Sequence, residues 1–143
     1  RSDEKGSVLM QTYQPEHPIL KQVLLNDFDA LFKTQKSERI QYHYPPYYRM
    51  ICITFKCRQY DAINMAADWF TNVVKQGYHG SVLGPVFPSV AKIRNLYQKQ
   101  LLIKIDHKHS ATSVKNILSK THGSFQAIAA FRSVRVNFDV DPY

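Results

Sequence analysis

From Arg49 to Cys57 the side chains alternate, with Ile51, Ile53 and Phe55 on one side and Met50, Cys52, Thr54 and Lys56 on the other. This is the two-residue period of a strand with one buried face. A few residues later the period changes. Ile63, Ala66, Ala67, Phe70, Val73 and Val74 recur at three- and four-residue spacing up to Gly77, which draws an apolar stripe along a helix. Asp61 is the expected N-cap and Gly77 the expected stop. A one-sided strand followed directly by a one-sided helix restricts the fold to a sheet covered by helices on that side.

The rest of the chain continues the pattern. Val82-Leu83-Gly84-Pro85 reads as a brief second strand, and Tyr97 to Ile105 as a third beyond a proline-interrupted segment, the two making a hairpin with a long connection. Ser110 or Thr112 is the expected cap of a helix carrying Val114, Ile117 and Leu118, with Phe125 to Phe131 adding a turn or two after Gly123. Val134, Val136, Phe138 and Val140 alternate with Arg135, Asn137, Asp139 and Asp141, giving a last strand with one apolar and one charged face. Strand, helix, strand, strand, helix, strand is the order of a ferredoxin-like domain. The expected class is α+β, a split β-α-β-β-α-β antiparallel sheet with helices on one face.

Ahead of it, Val8 to Tyr13 reads as a strand without its sheet. Pro18 then opens a helix to about Lys36, in which Leu20, Val23, Leu24, Phe28, Leu31 and Phe32 form the stripe. Tyr44-Pro45-Pro46-Tyr47 must interrupt it, because each proline fixes its own φ and disfavours helix in the residue before it. The expected segments are therefore 1–17, a connecting helix over 18–43, and a ferredoxin-like domain over 44–143.

With 143 residues, 44% of them hydrophobic, the chain has material for one core and an appendage. It contains no apolar run of about 20 residues and no signal-peptide pattern, so a soluble, cytoplasmic protein with no membrane partner is expected. Its opening on Arg1 fits a piece of a longer protein or a processed terminus. Cys52 and Cys57 are the only cysteines; their odd spacing along one strand puts them on opposite faces, where they cannot pair. Two cysteines also exclude a four-cysteine zinc site in this chain.

Few residues are spaced for catalysis or metal binding. Five glycines without a cluster, and no Gly-Lys-Ser/Thr, argue against phosphate binding by a P-loop. Of six histidines only His107 and His109 stand close, in a loop with Asp106, too few ligands for a metal. No Gly-x-Ser-x-Gly elbow is present, and neither cysteine has a histidine beside it in sequence. Asp139 and Asp141 fall on the polar face of the last strand, ~7 Å apart by strand rise, where surface ion pairing is the ordinary role. No catalytic residue and no metal ligand is assigned.

Charge is more informative. The net +8 is uneven, with ten basic and eight acidic side chains in residues 1–85 against nine and three in 86–143, a bias that favours a phosphate-bearing or acidic partner. Lys92, Arg94, Tyr97, Lys99, Gln100 and Lys104 form the candidate nucleic-acid contacts: cations for phosphates, amides, and a ring for an unpaired base. In the alternative reading Tyr97 packs and the cations are solvated. An RNA-recognition domain is argued against, since the outward face expected from Met50, Cys52, Thr54, Gln98, Gln100 and Leu102 has no stacking aromatics.

Several segments, in order, resemble the C-terminal end of the PriA family of primosomal replication-restart helicases. Gln11-Thr12-Tyr13-Gln14-Pro15-Glu16-His17-Pro18 is similar to the segment with which that family leaves its second helicase lobe. Glu38-Arg39 with Tyr44-Pro45-Pro46-Tyr47, Val82-Leu83-Gly84-Pro85, Ile93-Arg94 with Tyr97, Gln100 and Leu101, and Asp139-Val140-Asp141-Pro142 follow at matching places. Leu96, Gln98 and Lys99 stand where family members often carry more arginine and aromatic character.

The resemblance implies a parent that is an ATP-dependent 3′-to-5′ DNA helicase acting at stalled forks. ATP, magnesium and zinc would belong to that parent and not to this chain, which is not an enzyme by itself. Residues 1–17 would be the tail end of a helicase lobe. The domain would bind branched or forked DNA, with Lys92, Arg94, Tyr97 and Lys99 as contacts. Single-stranded DNA-binding protein and other primosome proteins are the implied protein partners. An alternative is a structural and protein-interaction domain that braces the helicase core with little DNA affinity of its own.

Overall fold

The computed structural model describes residues 6–142. The chain divides between Glu38 and Arg39 into two compact units. In the first, Pro18 opens α1 (Pro18–Leu24), with the His17 side chain accepting from the Ile19 amide. The long helix expected there is broken. Asn26 takes a left-handed φ of 54° and the Asp27 carboxylate accepts from the Ala30 amide at 3.0 Å, so a second helix, α2 (Phe28–Gln41), starts afresh. Asn and Asp make this break because their short polar side chains satisfy local backbone groups outside a helix. Neither helix has a buried residue. The strand expected at Val8–Tyr13 does not form, and Val8 and Leu9 are almost fully exposed.

The second unit carries the sheet. Its strands are β1 (Arg49–Cys57), β2 (Ser81–Val86), a two-residue β3 (Lys92–Ile93), β4 (Leu96–Ile105) and β5 (Arg135–Val140). All pairings are antiparallel, in the order β2-β4-β1-β5, with β3 folded back on β4. Helix α3 (Tyr60–Gly77) follows β1 and α4 (Ala111–Ala127) follows β4, which completes the α+β, ferredoxin-like order. Gln59, and not Asp61, is the N-cap of α3, whereas Ser110 caps α4 through the Ser113 amide. Gly123 does not interrupt α4, because Val114, Leu118, Thr121 and Phe125 keep one buried stripe running past it.

Both helices cover the face that carries Ile51, Ile53, Phe55 and Cys57. Phe55 meets Phe70 of α3 edge-on at 5.4 Å between ring centroids and Phe125 of α4 at 6.4 Å, and Phe125 stacks on Phe131 at 5.1 Å. Truncating such a fully buried ring to alanine typically costs about 3–5 kcal/mol, so this cluster fixes which face of β1 is inside. Cys57 lies in that core and Cys52 on the opposite face, both buried and unpaired.

Three of the short segments named above hold a piece of backbone. Arg39 donates to the Pro45 carbonyl at 2.8 Å, which ties the Tyr44-Pro45-Pro46-Tyr47 corner to the preceding helix end. Asp141 leaves the strand with a φ of 52°, and its carboxylate accepts from Arg49 at 2.7 Å and from the Met50 amide at 2.9 Å. It therefore closes β5 onto β1, and it does not share the polar face of the strand with Asp139. Gly84 has a φ of 102°, and a Cβ there would lie 2.7 Å from the Gln100 carbonyl oxygen of β4. Both facts demand glycine at this irregular point of β2. Gly84→Ala should lower the unfolding free energy by about 2–3 kcal/mol, read as a lower urea midpoint at unchanged slope.

Candidate nucleic-acid interface

The face of the sheet turned away from α3 and α4 is built by the pleat and the register. Lys56 stands directly opposite Gln98 of β4 on one side and Arg135 of β5 on the other; Thr54 likewise faces Gln100 and Asn137. At the Lys56 end the chain makes a tight turn, since Ile93 pairs with Leu96 and leaves Arg94 and Asn95 as a two-residue loop. Both have left-handed φ, 48° and 62°, the conformation that joins strands of natural twist. Asn adopts it readily, whereas a long side chain such as Arg does so at a cost of about 1–2 kcal/mol. Arg94 stands exposed at the tip of the hairpin.

Two adjoining depressions of about 560 and 380 Å³ open at this end. Lys56, Arg94, Leu96 and Arg135 line both; Arg58 lines the smaller, and Gln98 and Asn137 the larger. No acidic side chain lines either, and among the described residues none of these four cations has an ion-pair partner. Lys56 and Arg135 in direct register repel each other, a placement that costs about 0.2–1 kcal/mol where nothing negative lies between them. The arrangement is a shallow anion receptor. Its floor has amides and no aromatic ring, so it can hold phosphates but cannot stack a base.

The six residues singled out by the sequence divide between the two faces. Arg94 and Gln100 belong to the open face, Gln100 half-buried opposite Thr54. Lys92 and Tyr97 pair across the hairpin on the helix-side face, with the Lys92 ammonium 4.6 Å above the Tyr97 ring. Lys99 is a correction. It lies beneath α3, 7% exposed, and its ammonium donates to Asn64 at 2.8 Å and to Asp68 at 3.3 Å. Lys104 is also withdrawn from solvent: it donates to the Tyr42 carbonyl at 2.6 Å and sits 4.3 Å from the Tyr44 ring centroid, and burial pushes its pKa below the usual lysine value. Lys56, Arg58 and Arg135 were missed because they come from three separate stretches that only the register joins.

Elsewhere, an apolar groove of about 300 Å³ between α4 and β5 is lined by Ile51, Leu118, Phe138 and Val140, with Lys115 its one cation. Among the described residues no group of three or more His, Cys, Asp and Glu is placed to hold a metal, and no helix is long and apolar enough to cross a membrane. His109 has a structural role: its Nδ1 lies 2.6 Å from Asp106 Oδ1 and its ring packs edge-on against Tyr78. That hydrogen bond, helped by the Lys108 and His109 amides, holds the Asp106 carboxyl below the usual carboxylate range. A depressed pKa stabilises the fold above about pH 4, and that share is lost as pH falls through the folded value. Asp106→Asn should flatten the acid limb of stability against pH, measured as urea midpoints from pH 3 to pH 7.

Comparison with known proteins gives a consistent result. The family described as the primosomal protein N C-terminal domain matches residues 41–143. Replication restart protein PriA of Bacillus subtilis (strain 168) is 24% identical over 145 residues, covering 100% of this chain and 18% of its own length. The protein of that name from Haemophilus influenzae is 29% identical, covering 99% of the chain and 19% of its own length; for Chlamydia trachomatis the values are 30%, 99% and 18%. The chain spans less than one fifth of the length of these relatives. Since the matched region takes in the whole sheet, both covering helices and the cationic hairpin, the chain belongs to the family of primosomal protein N C-terminal domains.

Proposed function

We propose that this domain grips the sugar-phosphate backbone of DNA for a replication-restart helicase, through the open-face cleft of Lys56, Arg58, Arg94 and Arg135. The observation that carries the reading is the direct juxtaposition of Lys56 and Arg135 with no acid between them. Phosphates are the ligand that turns this repulsion into attraction, and the counterions they release add to the affinity. Gln98 and Asn137 supply further donors, and contacts made to phosphates make the grip independent of sequence. Lys92 extends the basic hairpin on its other side.

On this reading the parent is an ATP-dependent 3′-to-5′ helicase working at stalled forks, with residues 1–17 leaving its second lobe. ATP, magnesium and zinc would be bound in the parent outside this chain; the described residues do not fit a metal, and no step of the DNA grip requires these groups. Forked DNA is the proposed nucleic-acid partner. Single-stranded DNA-binding protein and other primosome proteins are the proposed protein partners, and the cytoplasm the proposed compartment.

A second reading, a brace for the helicase core, is favoured by the first unit. Leu24 and Phe28 on helices with nothing buried, and Leu25 between them, are each at least 70% exposed, a surface suited to cover by the rest of the parent. The two readings separate in one titration. Binding of the chain to duplex DNA should weaken linearly in log–log form with salt, and the triple variant Lys56→Gln, Arg94→Gln, Arg135→Gln should lose about 2–3 units of slope. Lys99→Gln, which alters a cation under α3, should leave the slope unchanged. An unchanged slope in the triple variant would move the DNA contact away from this cleft, and no binding by the unsubstituted chain would leave bracing as the role.

A further inference from the structure

The hairpin that carries Arg94 has two unlike faces. Ile93 and Leu96 turn to the phosphate-gripping cleft. Lys92 and Tyr97 turn the other way, toward an aromatic step at the start of α3. There Tyr60 stacks on Phe87 with the rings 5° from parallel and 5.4 Å between centroids, and it meets Tyr97 edge-on at 5.5 Å. Tyr97 is half-buried in this arrangement, whereas Tyr60 is 52% exposed. The ring offered to solvent is therefore Tyr60, held in orientation by two others, with the Lys92 ammonium over Tyr97 beside it.

Core packing does not account for Tyr60. The residue stands outside the buried cluster, at the first position of a helix whose stripe begins at Ile63. The residue is half exposed although Phe87 stacks on its ring and Tyr97 meets it edge-on, which is the form of a stacking platform: an accessible aromatic held in plane with a cation near it. The cleft on the opposite side of the hairpin lacks any such ring. Resting on the DNA-binding reading above, we propose that the 92–97 hairpin straddles the junction between duplex and single strand. Duplex phosphates lie in the Lys56/Arg94/Arg135 cleft, and the first unpaired base stacks on Tyr60 with its phosphate toward Lys92. The occupant is an unpaired base because the surface joins an exposed aromatic face to positive charge, which suits a base carried on a phosphate better than an apolar peptide.

The test uses the 143-residue chain with three DNAs, a blunt duplex, the same duplex with a short single-stranded tail, and the tailed duplex with 2-aminopurine at the first unpaired position. The tailed duplex should bind about five- to tenfold more tightly than the blunt one, the range of one stacking contact, and the 2-aminopurine emission should be quenched on binding. Tyr60→Leu, which keeps an apolar side chain against Phe87 and should unfold at the same temperature, should remove both the preference and the quenching. Tyr60→Phe should retain both. If the tailed duplex binds but neither preference nor quenching responds to Tyr60→Leu, the junction proposal is overturned and the phosphate cleft stands. If no DNA binds at low salt, both fall together.

Discussion

The proposed cleft depends on the register of β1. The burial that decides this register is greatest on the helix-covered side, where Ile51, Ile53, Phe55 and Cys57 pack, although Met50 and Cys52 are buried on the far face as well. Phe55 sits between Phe70 of α3 and Phe125 of α4, with Ile51 and Ile53 packed in the same layer. A slip of one residue would carry these side chains to the open face and bring Thr54 and Lys56 into the core. Lost burial of Phe55 alone would cost about 3–5 kcal/mol, several times the repulsion between Lys56 and Arg135. The core therefore enforces an electrostatically unfavourable pair on the far side of the sheet. A receptor for an anion can be kept in this way without destabilising the fold much.

The ends of the sheet are held by different means. At the Met50 end, Asp141 closes β5 on β1 through Arg49 and the Met50 amide, and Lys104 is tied to the 42–44 segment. At the Lys56 end no such clamp among the described residues covers the cations, and Arg94 and Asn95 of the turn are exposed. Lys104 and Arg94, two cations ten residues apart, thus have opposite fates. One is consumed by structure, its charge disfavoured by burial; the other is exposed at a turn.

The fold was legible because its periods are strong. The switch from two-residue to helical spacing between β1 and α3, and the alternation of β5, each specify an element and its buried face. What failed were points decided by single residues: the Asn26-Asp27 break, the continuation of α4 through Gly123, and the cap of α3. The site was legible only in part. Lys92 and Arg94 belong to the basic run itself, so local sequence is enough to name them as candidates. Lys99 has the same local appearance, yet strand alternation puts it on the core face opposite Phe55, and Asn64 and Asp68, one turn apart on α3, supply its partners. Lys56 and Arg135 lay in plain view on the polar faces of the first and last strands. In the ferredoxin-like order those strands are antiparallel neighbours, so the end of one meets the start of the other; pairing the two polar faces at that point would have found the cleft.

The separation of cations from rings follows from the same pleat. In β4 successive side chains alternate faces, so Gln98 and Gln100 on the open side are interleaved with Tyr97 and Lys99 on the helix side. An aromatic ring on the helix side can be braced by α3, as Tyr97 is by Tyr60 and Phe87, whereas a ring on the open side would have no such support. At the Lys56 end the open side is left to charged and amide groups, Lys56, Gln98, Arg135 and Asn137, which need only solvent or phosphate. A surface that stacked bases across the sheet itself would require exposed rings on both central strands, and β1 offers Met50, Cys52, Thr54 and Lys56 there instead. The sheet face and the aromatic step are thus two separate surfaces joined by one hairpin, and the strand that joins them fixes their relation to within the rigidity of a paired ladder.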